Sequence, residues 1–399
     1  MKAVSITVNP KSPIDSSNQQ AFADDIQWRG LPLLDLLNQL IIVIGETPSI
    51  TAAVVDSLPE ELSFLLVGPK RVAFLRHMKR CLGHFDNDLL STERNRSDFI
   101  RAIQQVETGN ANSLLVPVDD SANRLLHSVG KLNIPRFPIP DSRTFEMLND
   151  KWEFYQRCSE LGIAMPRTIF LGDKTEIDFG QVCSKVGLPF VLKPTNRADG
   201  LGVLVIRSKE DLQSKVLSRQ DYNFSPLVAQ SFVPGQDIDM SALVDQGRIR
   251  HFAIQMRTKQ ALCFMENADF VTLTKTLVGE LSYTGVVHID ARLDSRSGQI
   301  FLIEANPRFW GSLAEATAGG LNFVRAGIYT SAGLESPDPT TISSVRVPSL
   351  KKMLAGILTF KGSYSKMTRI DRLRLRHGIR LRAQRAFSQL IRRPAMSSQ

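Results

Sequence analysis

The sequence predicts an α/β protein, with a parallel sheet in its first third and antiparallel hairpins further on. Three observations carry that expectation. Between residues 31 and 130, short apolar runs alternate with segments of helical period, the pattern of strands and crossover helices in a parallel sheet. Residues 283–312, YTGVVHIDARLDSRSGQIFLIEANPRFWGS, instead alternate with a period of two on both sides of a turn, as an antiparallel hairpin does. The 399 residues, 43% hydrophobic and 22% charged, suit two or three globular domains.

Residues 1–30 have no period, and Pro10, Pro13 and the SSNQQ run mark an irregular lead-in. A first α/β domain is expected over 31–137. Leu40 to Ile44 reads as a buried strand ending at Gly45, Ser49 to Leu58 as a helix, and Leu62 to Val67 as a second strand. Lys70 to Leu82 reads as a helix, with Val72, Leu75, Met78, Lys79 and Leu82 along its stripe. Phe99 to Val106 is helical, and Leu114 to Val116 is a strand that enters a helix through PVDDSANRLL. The loop GETPS after the first strand lacks GxGxxG, which argues against a dinucleotide site there.

The three prolines of KLNIPRFPIPDS mark a boundary, and a second domain is expected over 138–335. Asp141 or Ser142 can cap a helix whose period continues from Leu148 to Leu161, ended by Gly162 and Pro166. Thr168 to Leu171 is a strand and Gln181 to Val186 a helix closed by Gly187. PFVLKPTNRADGLGVLVIRS reads as strand, small-residue loop and strand, followed by a helix from Glu210 to Leu217. LVAQSFVPGQDIDMSALV is a strand, a Pro-Gly turn and a strand, and Ile249 to Met256 extends the sheet. Helices are expected at Ser312–Ala318 and Asn322–Leu334, and residues 336–399 form a basic extension.

The chemistry gathers on the hairpin. On its first strand His288, Asp290 and Arg292 share one face, and Val287, Ile289, Ala291 and Leu293 share the other. On its second strand Ile300, Leu302, Glu304 and Asn306 share a face opposite Phe301, Ile303 and Ala305. Pairing about the turn at Asp294–Gly298 brings Asp290 beside or diagonal to Glu304. Asp290, Glu304 and Asn306 are hard oxygen donors in an apolar setting, which suits Mg²⁺ held between protein and phosphates. Upstream, Lys193 ends an apolar strand beside a loop containing Gly200 and Gly202. That loop lets backbone N–H groups approach an anion, and the lysine adds a compact charge for phosphate. Gln230, Ser231, Phe232 and Val233 form a strand edge that can read adenine with backbone groups, and Asp237 past the turn can accept from ribose hydroxyls. Arg308 can hold a carboxylate or phosphate with two parallel bonds.

These pieces, in the order Lys151, Lys193 with its glycine loop, Gln230 to Asp237, and the Asp290/Glu304/Asn306 hairpin ending in EANPR, resemble the ATP-grasp superfamily. The resemblance covers roughly residues 115–335, and residues 31–130 resemble the pre-ATP-grasp α/β domain. Within the superfamily the chain is most similar to the carbamoyl-phosphate-synthase-large-chain-like group and more distantly to D-alanine–D-alanine ligase. The resemblance implies a two-lobed α+β module and an ATP-dependent carboxylate–amine (or thiol) ligase working through an acyl phosphate. It also implies that Lys151 and Lys193 hold the α- and β-phosphates and that residues 196–202, from Asn196 through Gly200 and Gly202, close over the phosphates. Gln230 to Val233 would bind adenine and Asp237 ribose. Asp290, Glu304 and Asn306 would bind two Mg²⁺, with Mn²⁺ as an alternative ion. Two departures stand out. Ser231 replaces a charged residue of the adenine strand. His288 stands where D-alanine ligases place an arginine, either as a catalytic contact to substrate or γ-phosphate or as a structural histidine. Arg257 or Lys259 would supply a further phosphate contact. Arg308, His288 and Lys193 are the residues expected to act in catalysis.

A phosphotransferase acting on a small metabolite and a catalytically inactive ATP-binding regulatory protein are the alternative readings. The expected substrates are a small-molecule carboxylate and an amine or thiol, with a homodimer left open and no nucleic-acid partner expected. Cys81, Cys158, Cys183 and Cys263 are far apart, with no CxxC pair, as reduced cytoplasmic thiols are. The segment from Lys361 holds eleven Lys or Arg and one acid, Asp371, a net of +10. The whole chain carries +9, so the first 360 residues sum to −1. Such a basic amphipathic tail suits anionic lipid or an acidic partner, or a solvated helix packed on the body, and the expected location is cytoplasmic or peripheral at a membrane surface. The richest apolar stretch, Leu31 to Ile44, is interrupted by Pro32, Asp35, Asn38 and Gln39, so no membrane span is expected.

Overall fold

A computed structural model describes residues 39–348 apart from 90–91, 110–111, 130–131 and 199. The expected lead-in over 1–30 and the basic segment from Lys361 lie outside the described residues. The chain divides into two units. The first comprises residues up to Ile139 together with Arg308–Asp338, and the second comprises Pro140–Pro307 with a return from Pro339.

The first unit is built on β1 (Leu40–Ile44), β2 (Phe64–Gly68), β3 (Cys81–Asp86) and β4 (Ser113–Pro117), all parallel in the order β3-β2-β1-β4. Every residue of β1 and β4 is buried, as parallel strands covered on both faces are. The expected helix over 70–82 is cut short. Lys70–His77 forms a tight 3-10 segment that buries Val72 and Leu75, and the chain then turns into β3. Met78, Lys79 and Leu82 are left off the core because edge pairing to β2 takes the backbone. Arg80 holds the corner by donating to the carbonyls of Val55 and Leu62 at 3.2 and 3.1 Å. Residues 308–338 join this unit rather than continuing the domain expected over 138–335. Ser57 Oγ meets Thr317 Oγ1 at 3.1 Å, and Asn322 Nδ2 donates to the Ser57 carbonyl at 2.7 Å.

The second unit holds two sheets. The smaller is antiparallel: β5 (Thr168–Leu171), β6 (Phe190–Pro194), β7 (Leu204–Ile206) and β8 (Leu227–Ser231), in the order β5-β8-β6-β7. The larger has seven strands: β9 (Gly235–Asp245), β10 (Arg248–Arg257), β11 (Ala261–Met265), β12 (Gly285–Asp294), β13 (Ile300–Asn306), β14 (Thr341–Ile342) and β15 (Arg346–Pro348). The Pro234-Gly235 turn does not close a hairpin. It carries the chain from β8 in one sheet to β9 in the other.

One face of the larger sheet, with Ile238, Met240, Ala242, Ile289, Ala291 and Leu302, packs on Phe154, Phe270 and Leu277. One face of the smaller, with Phe190, Leu192 and Ala229, packs on Val182 and Val216. The helical period expected to run on to Leu161 breaks at Asp150. Helices Ser142–Asn149 and Lys151–Glu160 meet there, because Asp150 caps the second by accepting from the Trp152 and Glu153 N–H groups at 2.9 and 3.1 Å. Among the described residues, no helix is long and apolar enough to cross a membrane.

Candidate active site

The larger sheet turns its second face into a polar grid. Strands β9, β12 and β13 pair so that Asp239, Asp290 and Glu304 form one cross-strand row, and Ser241, His288 and Asn306 the next. Gln255 on β10 extends the first row. The alternation D-I-D-M-S-A in β9 places Asp239 and Ser241 here while Ile238 and Met240 enter the core.

The hairpin departs from the expected facing. A strict period of two puts apolar Leu302 on the same face as Glu304. The structure inserts a bulge at Ile303, so Asp290 lies opposite Glu304 while Ala291 lies opposite Leu302. Leu302 is thereby buried in the core and Glu304 keeps the polar face. The bulge has a second effect. The Ile303 carbonyl is reached by Lys193 Nζ at 3.4 Å.

The two lysines converge here from different elements. Lys193 lies on the face of β6 opposite the apolar core and is buried. Burial lowers its pKa to about 8, and nearby Lys151 pushes the same way against Glu304 and Asp290. Lys151 is the first residue after the Asp150 cap. Its N–H donates to the Thr195 carbonyl at 2.9 Å, and its Nζ sits 3.0 Å from Glu304 Oε2 and 2.7 Å from the Arg197 carbonyl. In the loop between β6 and β7, Asn196, Arg197, Gly200, Leu201 and Val203 are exposed, while Thr195 is buried. Gly200 and Gly202 take φ of +70° and +78°. A Cβ at Gly202 would lie 2.8 Å from Pro194 Cγ, so the turn needs glycine there on both counts.

Around Asp290, Asn306 Nδ2 donates to Oδ2 at 3.0 Å, and His288 Nε2 lies 3.4 Å from Oδ1. His288 Nδ1 meets Ser241 Oγ at 2.9 Å in a buried pair. Burial opposes ionisation of Asp290, but His288 and the surrounding side-chain hydrogen bonds outweigh it, and its pKa is lowered. Asp239 moves the other way, raised by burial and by the Asp290 charge. The sequence pattern alone marked Asp290, Glu304, Asn306 and His288. Asp239, Ser241 and Gln255 went unmarked, although the alternation of β9 carries the signal.

The strand edge expected at Gln230 is not an edge: β8 lies between β5 and β6, Gln230 pairs with Thr168 on one side and Val191 on the other, and Phe232 and Val233 follow the end of the strand. The Gln230 side chain is buried and donates to Thr168 Oγ1 at 2.9 Å. The Ser231 N–H donates to the Arg167 carbonyl at 2.8 Å and the Phe232 N–H to the Pro189 carbonyl at 3.3 Å. Past the turn, Arg292 gathers the segment. Its guanidinium donates to the carbonyls of Val233 at 3.1 Å and Gly235 at 2.8 Å, pairs with Asp237 at 2.6 Å, and lies over the Phe232 ring. Arg257 and Lys259 are exposed near the end of β10. Arg308 is in the first unit, where its Nε pairs with Asp120 at 3.1 Å and its Nη1 donates to the Phe309 carbonyl at 2.8 Å.

A parallel α/β unit followed by a two-sheet α+β unit agrees with an ATP-grasp fold. Residues 148–312 match the ATP-grasp domain family, and the chain carries that domain. It is 26% identical over 215 residues to D-aspartate ligase of Enterococcus faecium, covering 47% of this chain and 51% of that one. It is 21% identical over 181 residues to the arginine-specific carbamoyl phosphate synthase large chain of Bacillus subtilis, covering 42% of this chain and 17% of that one. The matched segment therefore spans about half or less of these curated relatives. Among solved structures, the ADP complex of N5-carboxyaminoimidazole synthetase from Staphylococcus aureus superposes with a TM-score of 0.61 at 14% identity, over 81% of this chain and 86% of that one. L-amino acid ligase from Bacillus licheniformis gives 0.57 at 16%, over 74% of each chain.

Proposed function

We propose that the protein is an ATP-dependent ligase that joins a small-molecule carboxylate to an amine, or to a thiol, through an acyl phosphate. One observation carries this reading. Lys151 and Lys193 reach the same edge of a strand that presents Glu304 opposite Asp290, so two ammonium groups and two carboxylates lie together, the charge pattern that a magnesium polyphosphate needs.

The donor set fits magnesium, since Asp290, Glu304 and Asn306 are carboxylate and amide oxygens on one face of two paired strands. Bound Mg²⁺ would supply positive charge to the transferring phosphoryl oxygens. Lys193 and Lys151 would neutralise phosphate oxygens, the second exchanging Glu304 for nucleotide. The loop from Asn196 through Gly202 would cover the phosphates. The Gln230–Val233 segment would receive adenine, and Asp237, positioned by Arg292, the ribose. His288 would contact the substrate or the transferring group.

The substrate carboxylate oxygen attacks the γ-phosphorus as the bond to the ADP oxygen breaks. The amine nitrogen then attacks the acyl carbon, phosphate leaves with the C–O bonding pair, and the amine gives up its proton. No side-chain nucleophile is needed.

D-aspartate ligase and L-amino acid ligase among the relatives support amino-acid-like substrates. The test is ADP release against pooled acids and amines, with mass spectrometry of the products. ADP that requires both an acid and an amine, with a condensation product, is expected. ADP with an acid alone and a stable phosphorylated product would replace ligation by phosphotransfer. ATP binding without ADP across broad panels would replace both by a regulatory role.

A further inference from the structure

The polar face of the larger sheet holds more ligand atoms than the magnesium reading uses. Asp239, His288 and Asp290 each offer one donor atom, and these atoms all lie within 4.8 Å of one another. Donors about 2.1 Å from one ion lie at most about 4.2 Å apart, so the set needs only a slight closing of its side chains to hold a single ion. The three residues come from neighbouring positions of two paired strands, so the sheet fixes their geometry without a mobile loop. Gln255 Nε2 approaches one Asp239 oxygen at 3.3 Å.

Two features separate this set from a magnesium site. One ligand is an imidazole nitrogen, which magnesium rarely takes and first-row transition ions accept readily. The ring is also oriented from behind. Its Nδ1 meets the buried Ser241 hydroxyl at 2.9 Å, leaving Nε2 on the Asp290 side. A partner on the distal nitrogen that fixes the ring is the usual support for a metal-bound histidine. The conventional ligand Glu304, by contrast, is held by Lys151 at 3.0 Å.

We propose that Asp239, His288 and Asp290 form a nucleotide-independent site for one first-row transition-metal dication, adjoining the magnesium position and sharing Asp290 with it. The inference rests on the reading of Asp290 as part of a metal-assisted nucleotide site, but it makes a separate claim: binding before ATP arrives, through nitrogen, with transition ions preferred over magnesium. Zn²⁺ binds more tightly than Mn²⁺, and Mn²⁺ more tightly than Mg²⁺, in the ordinary order for mixed nitrogen and oxygen ligands.

The test uses the full chain, freed of metal and nucleotide, titrated with Mn²⁺ and followed by electron paramagnetic resonance. One Mn²⁺ per chain is expected, with nitrogen coupling from one imidazole in the pulsed spectrum of the unmutated protein. Zn²⁺ should displace it, and Mg²⁺ should need at least about 100-fold more. His288→Asn should remove the nitrogen coupling, and His288→Asn and Asp239→Asn should each weaken binding at least about tenfold. Glu304→Gln should leave binding in place. No stoichiometric Mn²⁺, or Mn²⁺ without nitrogen coupling, overturns the proposal even if neither variant folds. Calorimetry of Mg·ATP on the same preparation separates the two claims. ATP binding without Mn²⁺ binding removes this inference alone, and Mn²⁺ binding without ATP affinity removes the nucleotide reading alone.

Discussion

The parallel sheet of the first unit and the seven-stranded sheet of the second handle polar residues in opposite ways. In β1 and β4 every side chain is buried, so the strands themselves carry no chemistry. In these two strands the polar groups lie at the ends: Asp119, just after β4, accepts from the Glu46 and Thr47 N–H groups at 2.7 Å each. In β9, β12 and β13 one face is core and the other a grid of carboxylates, amides and imidazole. A sheet covered on both sides keeps its polar residues for holding loops. A sheet with one free face can place them at fixed spacing for chemistry. Substitutions on the grid should therefore cost activity and spare stability, and substitutions at the strand ends of the first unit should do the reverse.

The largest effect is expected at Glu304. Glu304→Gln keeps the shape and an acceptor for Lys151 but removes the charge. ADP formation should fall about 10³-fold, the scale of losing one electrostatic partner of a transition state. The melting temperature should stay within a few degrees. A variant that melts early with normal turnover per folded molecule would place Glu304 among the structural groups and break the comparison.

How much of this was legible in the sequence follows the same division. The strands at Leu40–Ile44 and Thr168–Leu171 stand where their apolar runs put them, because burial and chain direction agree there. Asp290 and Glu304 stand out because each interrupts an apolar strand and Lys193 because it ends one beside a glycine loop, whereas Lys151 stands out only by its place in the order of the family resemblance. The bulge at Ile303 was not legible, since its only trace is the chemical conflict of Leu302 and Glu304 sharing one parity. The break at Asp150 was hidden by a helical period that continues across it, and β3 by one that stops too late. In both cases a local hydrogen bond, a cap or an edge pairing, outweighed periodicity. The partition of β8 and β9 between sheets depends on long-range pairing that no short window contains.

Lys193 gives the second-largest effect and a dependence on pH. Its pKa is about 8 in the folded protein against 10.5 for a free lysine. The unfolded chain therefore binds this proton more tightly, and stability rises as pH climbs from 8 towards 10.5. The gain across that window is at most about 3.4 kcal/mol, at 1.36 kcal/mol per unit. Phosphate attraction runs the other way, because the charged ammonium is the form that binds. Nucleotide affinity measured by calorimetry should fall as pH rises past about 8. Lys193→Met should remove both trends while weakening binding at neutral pH, and an unaltered pH profile in that variant would take Lys193 out of the phosphate site.

Asp119 tests the other sheet. Burial raises its pKa, yet the carboxyl group accepts from three N–H groups, those of Glu46, Thr47 and Ala122. Asp119→Ala strands those donors in a largely closed environment. A loss of about 2–4 kcal/mol in urea unfolding is expected, from a cap and at least one unsatisfied buried donor. ATP affinity of the folded fraction should hold. A drop in affinity with full stability would mean that the strand-end loop, like the grid, serves the ligand directly.

The smallest effect is expected at Arg292, and it probes the edge of the grid. Arg292 lies opposite Asp237 in the β9–β12 ladder and holds the Val233 and Gly235 carbonyls. Arg292→Lys keeps the charge and three N–H donors but loses the planar fork whose separate nitrogens reach Val233, Gly235 and Asp237 at once. The turn would remain, since the β9–β12 ladder still pairs through it, but Asp237 would be less firmly placed. With Asp237 at the ribose, one weakened interaction of about 1 kcal/mol corresponds to about a fivefold rise in KM for ATP with kcat unchanged. That split follows because ribose contacts are the same in ground and transition states. A fall in kcat at constant KM would mean that Arg292 acts on the transferring group instead, and the polar face would then reach one residue row further than the Asp239–Asp290–Glu304 line.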